Sequence, residues 1–356
     1  MGKSEKENKS IVKTPSGEGY FFPAEWEKHD AVFLSWPHDT TSFPDMLGTE
    51  KAYVAIITAL QETKSEKVRL FVTGEKMQER AEKAILENGG KVSGVEFFTH
   101  AYQDVWFRDY GPTFVVNRQK KRLGIVKWKF NGYGSRYPEL LIDDKIPDAI
   151  NAAMKLPVFR TGIFFEGGAF EMNGNGMLLT TTLGMLNTNR NPGMDMERAE
   201  KIFRQFLGAE KTIWLEHGIG GDDTDGHIDN LARFVNGKTI LCALEENEKD
   251  SNHHGLAKNH EKLLGAVDNS GKKFGIVGLP MPHVWDGKKR LPASYANFYI
   301  ANKAVLVPQF NDGNDAEALS IIKKSFPGRK AVGIDCSKIV YGNGTLHCIT
   351  QQQPKP

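Results

Sequence analysis

Residues 231–241 read LARFVNGKTIL, two apolar runs joined by Asn236-Gly237. Asn-Gly accepts the positive φ angles of a two-residue turn, so it is the strongest short-range signal for a β-hairpin. Branched and aromatic side chains on both sides of the turn are typical of strands packed in a core. A helical pattern follows at 255–267, so the stretch predicts a hairpin followed by a helix.

The same order of elements recurs along the chain. Hairpins are predicted at 113–128, 169–180 and 297–307, and helical patterns follow at 147–154, 195–207 and 315–325. The turns at 173, 236 and 302 lie 63 (236 − 173) and 66 (302 − 236) residues apart. About five such units would fill 356 residues, which favours a closed ring of α/β units over a Rossmann sheet. An ordinary α+β domain with hairpins that recur by chance is the alternative.

The first hundred residues predict two strand–helix pairs. Apolar strands at 31–36 and 68–72 precede helical patterns near 49–65 and 73–87. Because no linker-like segment divides the chain, residues 17–356 are expected to form a single domain. The polar segment 1–16 is expected to be a disordered tail, since it lacks the apolar core of a signal peptide.

Composition narrows the class of protein. The chain has 46 basic and 44 acidic residues, a net charge of +2, which argues against a dedicated nucleic-acid binder. No apolar run is long enough to span a bilayer, so no membrane partner is expected. The three cysteines, Cys242, Cys336 and Cys348, match no disulfide or zinc framework, which favours a reducing compartment, most simply the cytoplasm. Cys242 and Cys336 are interpreted as structural.

The ten residues before the opening hairpin, GDDTDGHIDN at 221–230, carry four carboxylates and one histidine. His227 and Asp229 are two apart, so on a strand they would point to the same face. Turns commonly contain Asp and Gly, and that is the plainest alternative. The EF-hand pattern is excluded because loop positions one and twelve would be Gly221 and Ala232. A zinc site is disfavoured because no second histidine lies four residues from His227. An active site remains, and it needs a nucleophile from elsewhere in the chain.

Three further stretches carry residues suited to such a site. Cys348 follows two glycines in YGNGTLHCIT, and a thiolate nucleophile needs a distant proton partner such as His227. Asp109 stands among aromatic residues that include Trp106, which suits a cation. Glu166 precedes two glycines and suits a partner that orients a histidine. The alternative for Cys348 is a buried, inert thiol. Asp109 and Trp106 could instead belong to a turn with a core tryptophan, and Glu166 could end a strand and face water.

Together these stretches resemble the agmatine deiminases, in the peptidylarginine-deiminase-like branch of the guanidine-modifying superfamily. The motifs that carry the resemblance are Trp106-x-x-Asp109, Glu166-Gly-Gly, Asp225-Gly-His227-x-Asp229-Asn230, Pro292-Ala-Ser-Tyr295-x-Asn297-Phe298 and His347-Cys348-Ile349-Thr350-Gln351. The resemblance implies a five-fold pseudosymmetric α/β propeller of hairpin-plus-helix units. It also implies a cytoplasmic hydrolase that acts on C–N bonds of amidines, without a metal or an organic cofactor.

The resemblance assigns a role to each site residue. It implies that the Cys348 thiolate attacks the guanidinium carbon, that His227 moves the protons and that Glu166 orients His227. Asp109 and Asp229 would hold the cation beside the indole ring of Trp106, and Asp223 would meet the substrate tail.

The substrate expected from this resemblance is agmatine, converted to N-carbamoylputrescine and ammonia in polyamine biosynthesis. An arginine or peptidyl-arginine deiminase that gives citrulline is the alternative within the class. The chain departs from the family pattern at Asp223, where Glu is usual, at Thr345, where Asn is usual, and over 169–172. An acidic wall at Asp223 favours a substrate with an amine tail.

Two other classes compete with this interpretation. One is a metal-dependent hydrolase built on the Asp and His cluster, and the other is a propeller that only binds carbohydrate or protein. The expected partner is a small cationic guanidine, with no nucleic acid or membrane, and the sequence leaves a homodimer open.

Overall fold

The computed structural model describes residues 13–356. Of the predicted tail 1–16, the first twelve residues lie outside the described part. In the remaining four, Pro15 is buried and Ser16 begins a short 3-10 helix, Ser16–Glu18. Within residues 13–356, no helix combines the length and the apolar character needed to cross a membrane.

The fold is a mixed α/β arrangement of five small sheets and one two-stranded ribbon. The strands are β1 His29–Ser35, β2 Lys67–Val72, β3 Val95–Thr99, β4 Thr113–Asn117, β5 Arg122–Lys129, β6 Val158–Phe164, β7 Phe170–Met172, β8 Met177–Thr181, β9 Lys211–Leu215, β10 Ala232–Asn236, β11 Thr239–Ala243, β12 Gly275–Leu279, β13 Trp285–Asp286, β14 Lys289–Arg290, β15 Tyr299–Ile300, β16 Ala304–Gln309, β17 Lys330–Asp335 and β18 Gln351–Pro354. The ribbon is β13 with β14.

The helices connect these strands. They are α1 Met46–Glu62, α2 Glu75–Glu87, α3 Phe107–Tyr110, α4 Gly132–Ser135, α5 Ile146–Met154, α6 Met196–Leu207, α7 His253–Gly265, α8 Asp315–Ser325 and α9 Leu346–Ile349. The 3-10 helices after the first are Val92–Gly94, Pro138–Lys145, Gly167–Ala169, Ile228–Asn230 and Ile339–Gly342. The segment labelled α4 is one turn with positive φ angles throughout, so it is left-handed.

Every sheet follows one plan, an antiparallel pair followed by a parallel strand. The pairs β4–β5, β7–β8, β10–β11 and β15–β16 are antiparallel, which confirms the four predicted hairpins. Each second strand then pairs in parallel with a strand reached through a helix, namely β6, β9, β12 and β17. A parallel pair needs such a crossover because its two strands run in the same direction.

The prediction of a hairpin followed by a helix omitted the third strand of these four units. Each of these third strands is the outer edge of its sheet, and β6, β12 and β17 each have only one fully buried side chain. The strand β12, for example, reads GIVGL and buries only Leu279. Edge strands of this kind need little apolar character, so they leave a weak pattern in the sequence.

The sheet that contains the first strand is completed by the last one. The strand β18 pairs antiparallel with β1, in the register Phe33 to Gln351, and β1 pairs in parallel with β2. The sheet order β18-β1-β2-β3 therefore repeats the plan of the other four and adds one strand. This pairing brings the helix α9, which carries Cys348, to the beginning of the chain.

The helices cover the sheets with their apolar sides. Helix α6 begins where the Asp195 side chain accepts a hydrogen bond of 2.8 Å from the backbone N–H of Arg198. Its buried Phe203 and Phe206 belong to one apolar cluster with Trp128 of the preceding sheet. Neighbouring units therefore share a core.

Candidate active site

The predicted site residues occupy equivalent places in the five sheets. Each lies a few positions before the first strand of an antiparallel pair. Asp109 precedes β4, Glu166 precedes β7, His227 and Asp229 precede β10, Asn297 precedes β15, and Cys348 precedes β18. Residues that are distant in the sequence meet there, since Asp109 and Cys348, 239 positions apart (348 − 109), line one cavity.

Cys348 lies on α9 with 5% of its surface exposed. Its Sγ accepts a hydrogen bond of 3.1 Å from Asn297 Nδ2 and lies 3.8 Å from Asp229 Oδ2. Burial raises the pKa of this thiol well above 9.0, and the charges of Asp229 and Asp109 raise it further. The thiol is therefore protonated until a cation enters, because a nearby positive charge stabilises the thiolate.

His227 lies in a loop, so the strand spacing considered for His227 and Asp229 does not apply. The positive φ angles of Asp225 (64°) and Gly226 (81°) end any extended run before it, and a 3-10 helix, Ile228–Asn230, follows it. The imidazole is nevertheless buried in the site, with Nδ1 3.6 Å from Asp109 Oδ1 and Nε2 3.8 Å from Glu166 Oε2. These distances fit ion pairs without direct hydrogen bonds.

The charge of His227 is set by its neighbours. Burial alone lowers the pKa of an imidazole, but Asp109, Glu166 and Asp229 together raise the pKa of His227 to about 9. The ring is therefore an imidazolium at neutral pH. A protonated histidine beside a thiol can donate a proton to a leaving group.

Asp109 is a buried carboxylate with two donors. Oδ2 accepts a hydrogen bond of 2.8 Å from the Tyr133 hydroxyl, and Oδ1 accepts one of 2.9 Å from the backbone N–H of Gly168. Burial raises the pKa of Asp109 to about 6, although His227 opposes the shift. Asp109 is therefore ionised at neutral pH and faces both His227 and the cavity that holds Cys348.

Asp229 is held by the residue next to the nucleophile. Its Oδ2 accepts a hydrogen bond of 2.7 Å from His347 Nδ1, and Oδ1 is buried without a partner among the described residues. His347 Nε2 lies 2.7 Å from Glu25 Oε2, which accepts a hydrogen bond of 2.9 Å from Arg233. Burial opposes ionisation, but the bond from His347 keeps the pKa of Asp229 below its usual value.

Glu166 is positioned by an arginine that sequence reasoning missed. Arg190 Nε donates at 2.8 Å to Glu166 Oε1, and its Nη1 and Nη2 contact Asp225 and the Thr224 carbonyl. Although burial opposes ionisation, Arg190 and His227 hold the pKa of Glu166 below its usual value. The only sequence signal for Arg190 is its place in the polar loop NTNRNPG at 187–193.

Gly168 lies where three site residues meet. A Cβ atom built there would come within 2.7 Å of Asp109 Oδ1, 2.7 Å of His227 Nδ1 and 3.0 Å of Asp229 Oδ2. Only a residue without a side chain leaves these groups in contact with one another.

The site opens into a cavity of about 310 Å³. Cys348 and Asp109 are among its lining residues, and Asp223 and Trp106 also face it. The indole of Trp106 is 5% exposed and donates a hydrogen bond of 2.9 Å to Asp104. Four of the seven predicted residues therefore line this cavity. The other three lie behind its inner end, where His227 faces Asp109 and Glu166, and Asp229 lies beside Cys348.

One group outside the cavity has the composition of a metal site. Within residues 13–356, ligand atoms of Glu245, Asp250 and His283 lie within 4.8 Å of one another. Arg290 Nη1 contacts both oxygens of Asp250 and neutralises part of the negative charge. This arginine makes the group a poor cation site.

Known proteins match nearly the whole chain. Residues 21–354 match the family of Porphyromonas-type peptidyl-arginine deiminases. An agmatine deiminase from Medicago truncatula is 32% identical over 97% of this chain and 99% of its own. Agmatine deiminase of Enterococcus faecalis superimposes with a TM-score of 0.89, at 27% identity, over 97% of this chain and 98% of its own.

A third relative is the agmatine deiminase of C. jejuni, solved with substrate bound. It superimposes with a TM-score of 0.83 at 29% identity, over 94% of this chain and 96% of its own. The shared fold and the similarity to named agmatine deiminases place the chain in a class, the hydrolases that act on C–N bonds.

Within that class, the chain belongs to the Porphyromonas-type peptidyl-arginine deiminase family. The predicted resemblance to agmatine deiminases is thereby confirmed, as is the predicted mixed α/β fold.

Proposed function

We propose that this protein hydrolyses the guanidine group of agmatine to N-carbamoylputrescine and ammonia. The observation that carries the proposal is the layout of the cavity. A buried thiol, Cys348, lies between the carboxylates Asp109 and Asp229 at the inner end, and Asp223 lines the same cavity. A planar cation with an amine tail matches this distribution of negative charge.

The guanidinium group binds between Asp109 and Asp229, each of which accepts N–H bonds from one side. The unpartnered Oδ1 of Asp229 and Oε2 of Glu166 are suited to such donors. Bringing a positive charge next to Cys348 lowers the pKa of the thiol, which the two aspartates hold high in the free protein. Substrate binding therefore generates the nucleophile.

The reaction then takes two steps. The Cys348 thiolate forms a bond to the guanidinium carbon, and the C–N bond to one amino group breaks as His227 donates a proton to the departing ammonia. Neutral His227 next removes a proton from water, whose oxygen attacks the same carbon. The C–S bond breaks, the thiolate is released, and the product is the substituted urea. Glu166 and Arg190 orient His227 through both steps.

The outer part of the cavity favours a cationic tail. Its lining includes the acidic side chains of Asp39, Glu139 and Asp223, against a single cation, Lys289. Free arginine would bring an α-carboxylate toward this acidic wall, where like charges repel. The amine of agmatine meets attraction instead.

A substrate comparison tests the proposal. We expect ureido product from agmatine, and at least about tenfold lower kcat/KM for free arginine and for arginine capped at both ends. Turnover of the capped arginine in preference to agmatine would keep the chemistry and identify a peptidyl-arginine deiminase. Loss of activity in excess chelator would favour a metal-dependent hydrolase.

The tail contact gives a prediction for Asp223. Replacing Asp223 with Asn is expected to lower kcat/KM for agmatine about 10- to 100-fold, because a charged hydrogen bond is lost. The matched substrate is n-butylguanidine, which has the same guanidinium and carbon chain without the amine. Its kcat/KM should change by less than about twofold, and an equal loss for both substrates would contradict a role at the tail.

The pKa values of Asp109 and His227 predict a bell-shaped pH profile. Activity should fall below pH about 6, as Asp109 is protonated, and above pH about 9, as His227 loses its proton. Glu166 raises the pKa of both groups. In Glu166→Gln, therefore, both limbs of kcat/KM against pH should move to lower pH, the basic limb further. If the basic limb did not move, Glu166 would have no effect on the pKa of His227.

We also propose that the five sheets form a five-fold pseudosymmetric α/β propeller. Supporting this are their common strand plan, the completion of the first sheet by β18, and the site residues that precede the first strand of every unit. In a propeller these five positions face one central axis, which explains why one catalytic centre draws on all five units.

A further inference from the structure

The segment Gly132–Ser135 has an unusual backbone. Four consecutive residues have positive φ angles, 64° at Gly132, 57° at Tyr133, 75° at Gly134 and 65° at Ser135. A left-handed conformation costs a non-glycine residue about 1–2 kcal/mol, and Tyr133 and Ser135 are not glycine. Strain of this kind persists where the surrounding structure enforces it, and it concentrates at functional sites.

Contacts with the neighbouring loop enforce the turn. Asn131 Oδ1 accepts a hydrogen bond of 2.9 Å from the backbone N–H of Gly134, and Asn131 Nδ2 donates at 3.2 Å to the Asn189 carbonyl. A Cβ atom on Gly134 would lie 2.4 Å from the Asn189 side chain and 2.9 Å from Arg190 Nη1. The turn is therefore packed directly against the arginine that positions Glu166.

Tyr133 extends from this turn to the inner end of the cavity. Its hydroxyl donates to Asp109 Oδ2 at 2.8 Å, and its ring centroid lies 6.0 Å from that of His227. The hydrogen bond stabilises the charged form of Asp109 and lowers its pKa. The other titratable groups facing Asp109 are His227, Glu166, Asp229 and Cys348. Tyr133 is therefore an uncharged side-chain donor to Asp109, beside the backbone N–H of Gly168.

Tyr137, two residues after the turn, reaches the tail end of the cavity. Its hydroxyl donates to Asp223 Oδ2 at 2.6 Å, and Asn343 Nδ2 donates to the same oxygen at 2.9 Å. Both bonds use one oxygen, which leaves Asp223 Oδ1 to accept a bond from a substrate amine. The backbone N–H of Tyr137 donates at 3.1 Å to the Gly132 carbonyl, so this tyrosine is fixed to the turn.

We propose that the left-handed turn Gly132–Ser135 aligns both substrate-binding carboxylates, Asp109 through Tyr133 and Asp223 through Tyr137. The inference rests on the proposed hydrolysis of agmatine and adds two positioning residues to it. The turn thereby determines the orientation of the guanidinium carboxylate and the tail carboxylate together. Substrates of the right length with a cation at each end are selected.

The inner half of the proposal is tested with Tyr133→Phe. Since the lost donor stabilised ionised Asp109, the acid limb of kcat/KM against pH should move to higher pH. At the optimum, kcat/KM should fall about 3- to 30-fold, equally for agmatine and n-butylguanidine. A uniform loss at every pH, with the acid limb in place, would show a merely structural role and overturn this half.

The outer half is tested with Tyr137→Phe. We expect the ratio of kcat/KM for agmatine to that for n-butylguanidine to fall about 3- to 10-fold, through a higher KM for agmatine. The acid limb should stay in place, and n-butylguanidine should change by less than about twofold. An equal loss for both substrates would overturn this half.

The control variant is Tyr53→Phe, which removes a buried hydroxyl without a hydrogen-bond partner among the described residues. It should match the wild type in the substrate ratio and in the pH profile, and thermal unfolding of all three variants checks their folding. Failure of the wild-type protein to hydrolyse agmatine would overturn the proposed function and this inference with it. This inference alone would be overturned if the wild type hydrolysed agmatine, but Tyr133→Phe left the acid limb in place and Tyr137→Phe left the substrate ratio unchanged.

Discussion

Replacement of Cys348 by alanine is expected to lower kcat for agmatine by at least about four orders of magnitude. In the proposed mechanism the thiolate forms the covalent bond to the guanidinium carbon. No other thiol in the described chain reaches the cavity, because Cys242 and Cys336 are buried elsewhere. The carboxylates Asp109 and Asp229 remain, so the variant should still bind agmatine. The rate of ureido-product formation measures kcat, and calorimetric titration measures the binding of agmatine.

Cys242→Ala is the matched control, since it also removes a buried thiol. Burial raises the pKa of that thiol to about 12, and no site residue contacts it, so kcat should stay within about twofold of the wild type. Full activity of Cys348→Ala would refute a covalent mechanism. Mass spectrometry of the wild type, quenched during turnover, should in turn find an adduct on the peptide that contains Cys348.

The second large effect is expected from Gly168→Ala. The added methyl group would lie within 2.7–3.0 Å of Asp109, His227 and Asp229, closer than van der Waals contact allows, so these groups must move apart. Displacements of about 1 Å in a catalytic site cost about 100-fold or more in rate. We therefore expect kcat/KM to fall at least about 100-fold, with a thermal midpoint lowered by a few degrees.

Gly184→Ala provides the control for this prediction. A Cβ atom at Gly184 would meet only Ala169, at 4.0 Å, so the same change in composition should leave kcat/KM within about twofold. If Gly168→Ala were as active as Gly184→Ala, the site would be more plastic than the packing of the three side chains indicates. A crystal structure of the variant would show which of them moved.

The hairpins and most helices could be predicted because their signals are local. Asn236-Gly237 fixes one turn by its own φ preferences, and helix α8 was predicted over its full extent, Asp315–Ser325. The edge strands could not be predicted, because exposed strands such as β12 carry little apolar pattern. Whether a strand forms there is decided by a partner strand distant in sequence.

The proposed site residues were selected through their combined motifs, whereas the residues that contact and orient them were not. Arg190, Tyr133 and Tyr137 act through contacts that exist only after the chain has folded. Nothing local in the sequence separates a tyrosine that donates to a catalytic carboxylate from one that fills a core. The strand geometry considered for His227 and Asp229 does not occur for a local reason, since Asp225 and Gly226 adopt positive φ angles.

The pairing of β18 with β1 has a consequence for biosynthesis. Phe33 and Gln351 are 318 residues apart (351 − 33), and closing so long a loop is entropically costly and slow. During translation β1 must therefore wait without its antiparallel partner until the residues up to Gln351 have been made. Because Cys348 lies three residues before β18, the proposed nucleophile is added only after strands β1 to β17 have been synthesised. A chain interrupted before this point would have most of the fold and would lack the proposed nucleophile.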